Sequence, residues 1–263
     1  GVIFKIDFVK AYDKVKWPFL LKTLRMKGFS PKWCRWVESF VSGGSVAIKV
    51  NDEVGNYFQT RKGLRQGDPA SPILFNIVAD MLATLVERAK VAGQVSGVIP
   101  HLVEEGLSIL QYANDTILFL DSHLDKERNL KLLLCAFEEL SGLKINFHKS
   151  ELFCFEDATE HAPKYAEIFG CQLGQFPIRY LGIPIHYRRL IIADWKHVEE
   201  ILEKRLASWK AKLLSYWGRL ISINPVLRNM VLNMMSFFHL PKGVLQRLGY
   251  FRSRFFWRCY NES

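Results

Sequence analysis

The fold of this chain is decided by residues 107–120, which read LSILQYANDTILFL. Two apolar runs, Leu107–Tyr112 and Thr116–Leu120, are separated by three residues that include Asn114 and Asp115. This is the spacing of a tight β-hairpin, in which two or three residues reverse the chain direction. The sequence therefore predicts two antiparallel strands with polar side chains at the tip.

A second carboxylate stands at the end of another apolar run. Val2–Phe8 predicts a buried strand, and Asp7 is a polar residue near its end. A carboxylate at a strand end and another at a hairpin tip can meet at a sheet surface and share oxygen-ligated cations such as Mg²⁺. Two-metal phosphoryl transfer needs this geometry. Asp7 and Asp115 are the candidates, although spacing alone fits a strand-end cap and a turn residue at least as well.

Helices and strands alternate through the first 190 residues. This alternation predicts an α+β or α/β layer, and a helical pattern from Asp194 onward predicts a second unit. We therefore expect two domains, at residues 1–190 and 191–263. The other predicted elements are a helix between Pro18 and Gly28, a helix from Ser30-Pro31 to Gly43-Gly44, a hairpin of Ser45–Val50 and Tyr57–Thr60 around Asn51-Asp52, a helix from Ile73 to about Lys90, a helix from Asp125 to Leu140, extended chain over Leu143–Phe155 and a basic helix over Trp195–Leu213.

The positive charge of the chain is concentrated in its C-terminal part. The formal net charge is +10, yet residues 1–160 hold 20 basic and 20 acidic residues, whereas residues 161–263 hold 16 basic and 6 acidic ones. Such asymmetry indicates a surface for a polyanion, most simply nucleic acid. A solvated basic face with no partner is the alternative.

Composition excludes several other classes of protein. The apolar runs are shorter than the roughly 20 residues that span a bilayer, and the first eight residues read as a strand rather than a signal sequence. The chain has five scattered cysteines without C-x-x-C spacing, which argues against a disulfide framework and against a zinc site. We expect a globular protein of a reducing compartment, with no membrane and no disulfide partner.

Seven segments resemble, in this order, the motifs of one family. They are residues 4–13 (FKIDFVKAYD), 63–72 (GLRQGDPASP), 111–115 (QYAND), 141–150 (SGLKINFHKS), 180–185 (YLGIPI), 207–215 (ASWKAKLLS) and 218–220 (GRL). Together they resemble the reverse transcriptases of LINE-type (non-LTR) retrotransposons, especially plant ones. The resemblance implies an α+β right-hand polymerase palm, an antiparallel sheet with packed helices, followed by a helical thumb. Because the chain starts at the first motif, we expect the upstream fingers to be largely missing.

The resemblance assigns a metal site to the two carboxylates. Asp7 matches the metal-binding residue of the first motif, and Asp115 matches the second Asp of the third motif. Two Mg²⁺ ions are implied as cofactors. Tyr12 matches the aromatic residue that packs beneath the nucleotide sugar, where bulk excludes a 2′-hydroxyl, although ordinary core packing also accounts for a tyrosine there.

The third motif departs from the family at one catalytic position. The family has Tyr-Ala-Asp-Asp, and Asn114 replaces the first Asp. An Asn amide offers a neutral oxygen and removes one negative charge from the site. If the lost ligation raises the barrier by several kcal/mol, the rate falls roughly a thousandfold, at about 1.4 kcal/mol per tenfold. We therefore expect impaired polymerisation and weakened Mg²⁺ binding.

Further residues acquire roles through the same resemblance. Arg65, Gln66 and Gly67 lie in the motif that touches the template and the incoming nucleotide. Lys149 matches a lysine near the leaving pyrophosphate, with a solvated surface lysine as the alternative. The primer end is expected against Tyr180, Leu181 and Gly182, and the phosphate backbone of an RNA–DNA duplex is expected against Lys204, Arg205, Lys210, Lys212 and Arg219.

The implied function is RNA-directed DNA polymerisation by descent. Its partners would be an RNA template, a DNA primer and deoxynucleoside triphosphates, in the nucleus or the cytoplasm. A second interpretation is a non-enzymatic remnant or co-opted protein that binds nucleic acid through its basic helices. A group II intron maturase or another cellular reverse transcriptase shares the palm motifs, but the thumb segments favour the LINE type.

Overall fold

The computed structural model describes residues 1–99, 106–205, 214–215, 217–221 and 236–257. The chain divides into two compact units, Gly1–Gln175 and Phe176–Ser263. The division falls ahead of the boundary near residue 190 that the sequence predicts, because the hairpin after Phe176 belongs to the second unit.

The first unit contains nine strands and six α-helices within its described residues. In chain order they are β1 (Val2–Ile6), α1 (Ala11–Lys14), α2 (Trp17–Met26), α3 (Pro31–Ser42), β2 (Ser45–Val46), β3 (Lys49–Val50), β4 (Glu53–Val54), β5 (Phe58–Gln59), α4 (Ser71–Val91), β6 (Ile109–Tyr112), β7 (Asp115–Leu120), α5 (Leu124–Ser141), β8 (Glu151–Cys154), a 3₁₀ helix (Glu156–His161), α6 (Ala162–Phe169) and β9 (Gln172–Leu173).

A five-stranded sheet in the order β6-β7-β1-β8-β9 forms the centre of this unit. Neighbouring strands are antiparallel except β8 and β9, which are parallel. Successive side chains of a strand point to opposite faces. The even-numbered residues Phe4, Ile6, Leu118 and Leu120 accordingly pack into one core with the helices. The odd-numbered residues, which include Lys5, lie on the other face.

Four predicted helices are present, and their ends lie within two residues of the predicted positions. Ser30 accepts a hydrogen bond from the Trp33 amide at 3.2 Å and caps α3, with Pro31 in the first turn. Helix α4 starts two residues earlier than predicted, because the Asp68 side chain accepts from the Ala70 amide at 2.9 Å and turns the chain into the helix. The predicted helices at α2, α3, α4 and α5 are confirmed.

Three sequence predictions for unit 1 need correction. Asp115 is the first residue of β7, so the turn of the main hairpin holds only two residues. Around Asn51-Asp52 the strands form two small sheets, β3 with β4 and β2 with β5. The segment Leu143–Phe155 is interrupted by a turn at residues 147–149, because Asn146 accepts the amides of Lys149 and Ser150.

The second unit consists of a hairpin and helices. Its described elements are β10 (Ile178–Tyr180), β11 (Ile183–Ile185), a 3₁₀ helix (Ile192–Trp195), α7 (Lys196–Arg205) and α8 (Lys242–Trp257). A small core of Trp195, Val198, Val244 and Leu248 joins α7 to α8. The end of the predicted helix Trp195–Leu213 lies outside the described residues.

Two general properties follow from the described residues. They contain no helix long and apolar enough to cross a membrane. The described cysteines, Cys34, Cys135, Cys154 and Cys171, are free thiols.

Candidate active site

The two predicted metal-binding carboxylates lie on adjacent strands. Strands β1 and β7 are paired up to Ile6 opposite Thr116, and the same register continued by one residue aligns Asp7 with Asp115. Directly opposed residues of an antiparallel pair project from the same face of the sheet. Asp7 and Asp115 therefore share the face opposite the helix-packed core.

The hairpin tip places Asn114 beside this carboxylate pair. Tyr112 and Asp115 close the hairpin, and Ala113 and Asn114 form its two-residue turn. Ala113 adopts φ 53°, a left-handed conformation that two-residue hairpin turns require. Asn114 is exposed next to Asp115. The structure thus places Asp7, Asn114 and Asp115 at one strand end, with an amide where a third carboxylate would complete the set.

The turn at residues 147–149, which follows α5, is flanked by residues that form hydrogen bonds to Asp7 at the end of β1. The Asp7 amide donates to Ser150 Oγ at 3.0 Å, and the Asp7 carbonyl accepts from the Asn146 amide at 2.7 Å. Ser150 is fully buried and its hydroxyl donates in turn to the Asn146 carbonyl at 2.9 Å. Lys149 lies exposed on this turn. The structure therefore brings the turn that carries Lys149 next to Asp7, although Lys149 makes no contact with the carboxylate.

The loop after β5 is attached to the segment that follows Asp7. The Leu64 amide donates to the Tyr12 carbonyl at 2.7 Å, and the Gly63 amide donates to the Val15 carbonyl at 2.8 Å. The Trp17 indole donates to the Gly63 carbonyl at 2.7 Å. Gly63 has φ 91°, and a Cβ there would lie 2.9 Å from the Asp13 carbonyl oxygen, so only glycine fits. These bonds fix the loop next to Tyr12.

Tyr12 is held by an aromatic contact from α4. Its ring stacks on Phe75 with centroids 4.6 Å apart and an interplanar angle of 17°. Phe75 is fully buried, whereas Tyr12 is half-buried. One face of the Tyr12 ring is thus supported by the core, which is compatible with both interpretations of Tyr12.

A cavity of about 950 Å³ opens beside these elements. Arg65 and Gln66 line it, and Gly67 lies in the same loop outside the lining. Basic side chains outnumber acidic ones, and Asp13 is the one acidic residue of the lining. The lining residues are Lys10, Asp13, Phe40, Val41, Ile48, Phe58, Gln59, Thr60, Arg61, Lys62, Gly63, Leu64, Arg65 and Gln66.

Sequence reasoning missed several residues of this region. Lys10, Arg61 and Lys62 line the cavity but carry no motif role in the sequence. The clearest signal in the sequence was the position of Lys10 three residues after Asp7. In the structure Lys10 adopts φ 45°, the left-handed conformation that non-glycine residues rarely take. Ser150 ends the fourth motif, and its buried hydrogen bond to Asp7 is visible only in the structure.

The described residues contain no cluster of three or more His, Cys, Asp or Glu side chains with metal-binding geometry. The donors at the strand end are two carboxylates and one amide. All three offer oxygen, which suits Mg²⁺ in kind, but the set carries one negative charge fewer than three carboxylates would. The residues therefore fit a magnesium site of reduced charge.

The predicted primer-contacting residues lie together in the second unit. Tyr180 pairs with Ile183 across the β10–β11 hairpin, and Leu181 and Gly182 form its two-residue turn. Leu181 and Gly182 have φ 51° and 80°, which matches a type I′ hairpin turn.

The residues predicted to contact phosphates differ in exposure and in their contacts. Lys204 is exposed on α7, and Arg205 ends this helix. Arg219 donates to the carbonyls of Leu214 and Phe256 at 3.1 and 3.3 Å, so part of its guanidinium is already bound within the unit. Lys210 and Lys212 lie outside the described residues.

A known protein family matches the part of the chain that contains this candidate site. Residues 1–185 match the family described as reverse transcriptase (RNA-dependent DNA polymerase). The chain belongs to this family. The matched range contains the whole first unit and the β10–β11 hairpin, so the strand end with Asp7 and Asp115 lies in a reverse transcriptase domain.

The relatives of this reverse transcriptase domain are proteins of retrotransposons. It is 28% identical over 147 residues to a Pol polyprotein from the retrotransposable element R2 of Popillia japonica. The aligned residues make up 56% of this chain and 23% of the relative. It is 23% identical over 231 residues to the transposon TX1 149 kDa protein of Xenopus laevis. Here the aligned residues make up 86% of this chain and 17% of the relative. The chain thus spans less than a quarter of the length of these relatives. The matches confirm the resemblance to non-LTR reverse transcriptases, and its plant-like character stays a prediction.

A telomerase is among the solved structures that match the chain weakly. The apo telomerase of Candida tropicalis is 11% identical, with a TM-score of 0.49, over 97% of this chain and 45% of the telomerase chain. The mixed helices and the mainly antiparallel sheet agree with the α+β palm and helical thumb that the sequence predicts.

Proposed function

We propose that this chain is the palm and thumb of a non-LTR retrotransposon reverse transcriptase, impaired in catalysis by Asn114. The observation that carries the proposal is the register of β1 and β7, in which Ile6 pairs with Thr116, so that one further step would bring Asp7 opposite Asp115 at the hairpin that holds Asn114 in its turn. The family match supports RNA-directed DNA synthesis as the reaction.

The strand-end residues would hold the metal of the reaction. Asp7 and Asp115 supply carboxylate oxygens on both strands, and Asn114 supplies a neutral amide oxygen. Bound Mg²⁺ would lower the pKa of the primer hydroxyl and balance the charge of the leaving pyrophosphate. In the step itself, the 3′-hydroxyl of the primer releases its proton to solvent, and its oxygen forms a bond to the α-phosphorus. The bond from the α-phosphorus to the bridging oxygen breaks, and pyrophosphate leaves.

The cavity would receive the incoming deoxynucleoside triphosphate. Its basic lining suits a polyphosphate, since Arg65 can offer a planar fork of donors to phosphate oxygens. Gln66 offers both a donor and an acceptor to the template or the base. The Tyr12 ring, fixed by Phe75, would pack beneath the sugar and exclude a 2′-hydroxyl.

The remaining predicted residues would serve the leaving group and the nucleic acid. Lys149, exposed on the turn that holds Asp7, would donate a proton to pyrophosphate or offset its charge. The turn of Leu181 and Gly182 would support the primer end. Lys204 on α7 would contact duplex phosphates, and Arg205, Lys210, Lys212 and Arg219 are proposed for the same backbone. The family match supports an RNA template. A DNA primer and action in the nucleus or the cytoplasm are part of the same proposal.

Asn114 favours a second function at the same surface. A chain that lacks one metal-binding carboxylate keeps its basic residues, so a remnant that binds nucleic acid without catalysis is the alternative. The two functions predict different results for the Asn114→Asp variant. An impaired polymerase should regain DNA synthesis when this carboxylate is restored, whereas a binding remnant should not.

The test is magnesium-dependent primer extension on an RNA template. The chain and its Asn114→Asp variant are each fused to the fingers segment of a related reverse transcriptase. We expect the Asn114→Asp variant to extend the primer roughly a thousandfold faster, which corresponds to about 4 kcal/mol of barrier. Equal rates would show that position 114 does not limit the reaction.

Two control variants test whether synthesis depends on the proposed site residues. Asp7→Asn introduced into the Asn114→Asp variant should abolish extension, while the exposed Glu139→Gln change on α5 should not affect it. If the Asn114→Asp variant binds primer–template but never extends it, the binding function is favoured over the polymerase.

A further inference from the structure

A glycine at the end of α3 lies directly under the Arg65 side chain. Gly44 follows the C-cap of α3 and precedes β2. It is buried, although its neighbours Gly43 and Ser45 are exposed. A Cβ added to Gly44 would lie 2.5 Å from Arg65 Cζ and closer still to a terminal nitrogen. The guanidinium therefore lies on the backbone of Gly44 and covers it.

Polar interactions do not account for the position of the Arg65 guanidinium within the described residues. The side chain has no hydrogen bond or ion pair there, and Arg65 is exposed. Arg65 nevertheless lines the cavity beside Gln66. The guanidinium occupies the space that the absence of a side chain at Gly44 leaves.

The backbone of Gly44 gives no separate reason for a glycine. Its φ lies outside the left-handed region, so an alanine there meets no backbone strain. The atoms in the way of a Cβ are the far end of a flexible side chain. An alanine would therefore displace Arg65 rather than the chain.

We propose that Gly44 is a positioning residue, which holds the Arg65 guanidinium in the orientation that binds the triphosphate of the incoming nucleotide. The binding role of Arg65 rests on the proposed function, whereas the contact with Gly44 does not. Displacing a guanidinium by the width of a methyl group breaks a forked hydrogen bond to phosphate, since such bonds need both direction and distance.

The first experiment observes Arg65 directly. The Nε–Hε NMR signal of Arg65 is identified by its loss in Arg65→Lys, and its position is compared in Gly44→Ala and Gly55→Ala. Gly55 is the control, because it directly follows β4, has no left-handed φ and lies outside the cavity lining. A Cβ there would meet the Ile48 carbonyl oxygen at 3.3 Å and no atom of Arg65. We expect the signal to move in Gly44→Ala and to stay unchanged in Gly55→Ala. An unchanged signal in Gly44→Ala would overturn the proposal, whatever the chain does with nucleotides.

The second experiment measures dTTP affinity on an oligo(rA)–oligo(dT) primer–template with Mg²⁺. Losing charged hydrogen bonds to phosphate should weaken dTTP binding about tenfold to a hundredfold in Arg65→Ala, and Gly44→Ala should cause a loss of the same order. In the double variant the losses should not add, because Gly44 acts through Arg65. Additive losses would contradict the positioning role.

Two further outcomes keep the proposals distinguishable. If Arg65→Ala binds dTTP as the unchanged chain does, the proposed nucleotide role of Arg65 fails, and the NMR signal alone decides the role of Gly44. If Gly44→Ala fails to fold, adding Arg65→Ala should restore folding by removing the clash, and a double variant that stays unfolded overturns the proposal.

Discussion

Glu127 makes the stability of the first unit depend on pH. This residue of α5 is completely buried, and neither carboxylate oxygen has a hydrogen-bond partner among the described residues. The pKa of Glu127 is raised from 4.5 to about 8, because burial raises it most, the N-terminal amine of Gly1 partly opposes the rise, and Asp121 adds to it. The folded chain therefore binds a proton on Glu127 at pH values where the unfolded chain has released it.

The direction of the effect follows from this difference. A carboxyl whose pKa is raised on folding contributes its full stability below the unfolded pKa and loses it as the pH rises through the folded pKa. The free energy of unfolding should fall between about pH 4.5 and pH 8, by roughly 5 kcal/mol at about 1.4 kcal/mol per unit of pKa difference. A neutral Glu127→Gln side chain has nothing to ionise and should remove this fall.

The assay is urea unfolding followed by circular dichroism at pH 5, 7 and 9. The Glu127→Gln variant should gain several kcal/mol relative to the unchanged chain between pH 5 and pH 9. The exposed Glu139→Gln change on the same helix serves as the control and should show no such gain. A difference between the Glu127→Gln variant and the unchanged chain that is constant across pH would refute the reasoning.

Three further predictions concern the site and the second unit. In the Asn114→Asp variant, Tyr12→Ala should raise the use of ribonucleoside triphosphates at least tenfold in primer extension, and unchanged selectivity would contradict the sugar contact. Gly63→Ala should cost about 2 to 3 kcal/mol in urea unfolding, since φ is 91° and a carbonyl is in the way; a cost no larger than that of Gly55→Ala would be inconsistent with this. Lys204→Ala should reduce the salt dependence of duplex binding by about one counterion, and an unchanged slope would remove Lys204 from the interface.

The sequence predicted the elements whose signals are local. The N-cap at Ser30, the proline at Pro31 and the long apolar helix α4 each depend on neighbours within a few residues, and each is confirmed. The main hairpin was predicted in the right place, but its turn was one residue too long. Apolar periodicity could not show that Asp115 already pairs with Tyr112, because a polar residue at a strand end has the same pattern as a turn residue.

The alignment of Asp7 with Asp115 was within reach of sequence reasoning, but the residues that hold the site were not. Ser150 bonds to Asp7 across 143 positions of the chain. Arg65 and Gly44 meet because a loop and a helix end are folded together, and no periodicity encodes such a contact. Contacts of this kind follow from tertiary packing, so they became visible only in the structure.

We propose that Asp7 and Asp115 form a magnesium site and that Asn114 weakens its affinity for Mg²⁺. The most direct test is calorimetric titration of Mg²⁺ into the chain, the Asn114→Asp variant and the Asn114→Asp variant carrying Asp7→Asn. Restoring a carboxylate should strengthen Mg²⁺ binding at least tenfold, and removing Asp7 should abolish that gain. Equal Mg²⁺ affinity of the chain and the Asn114→Asp variant would contradict the claim.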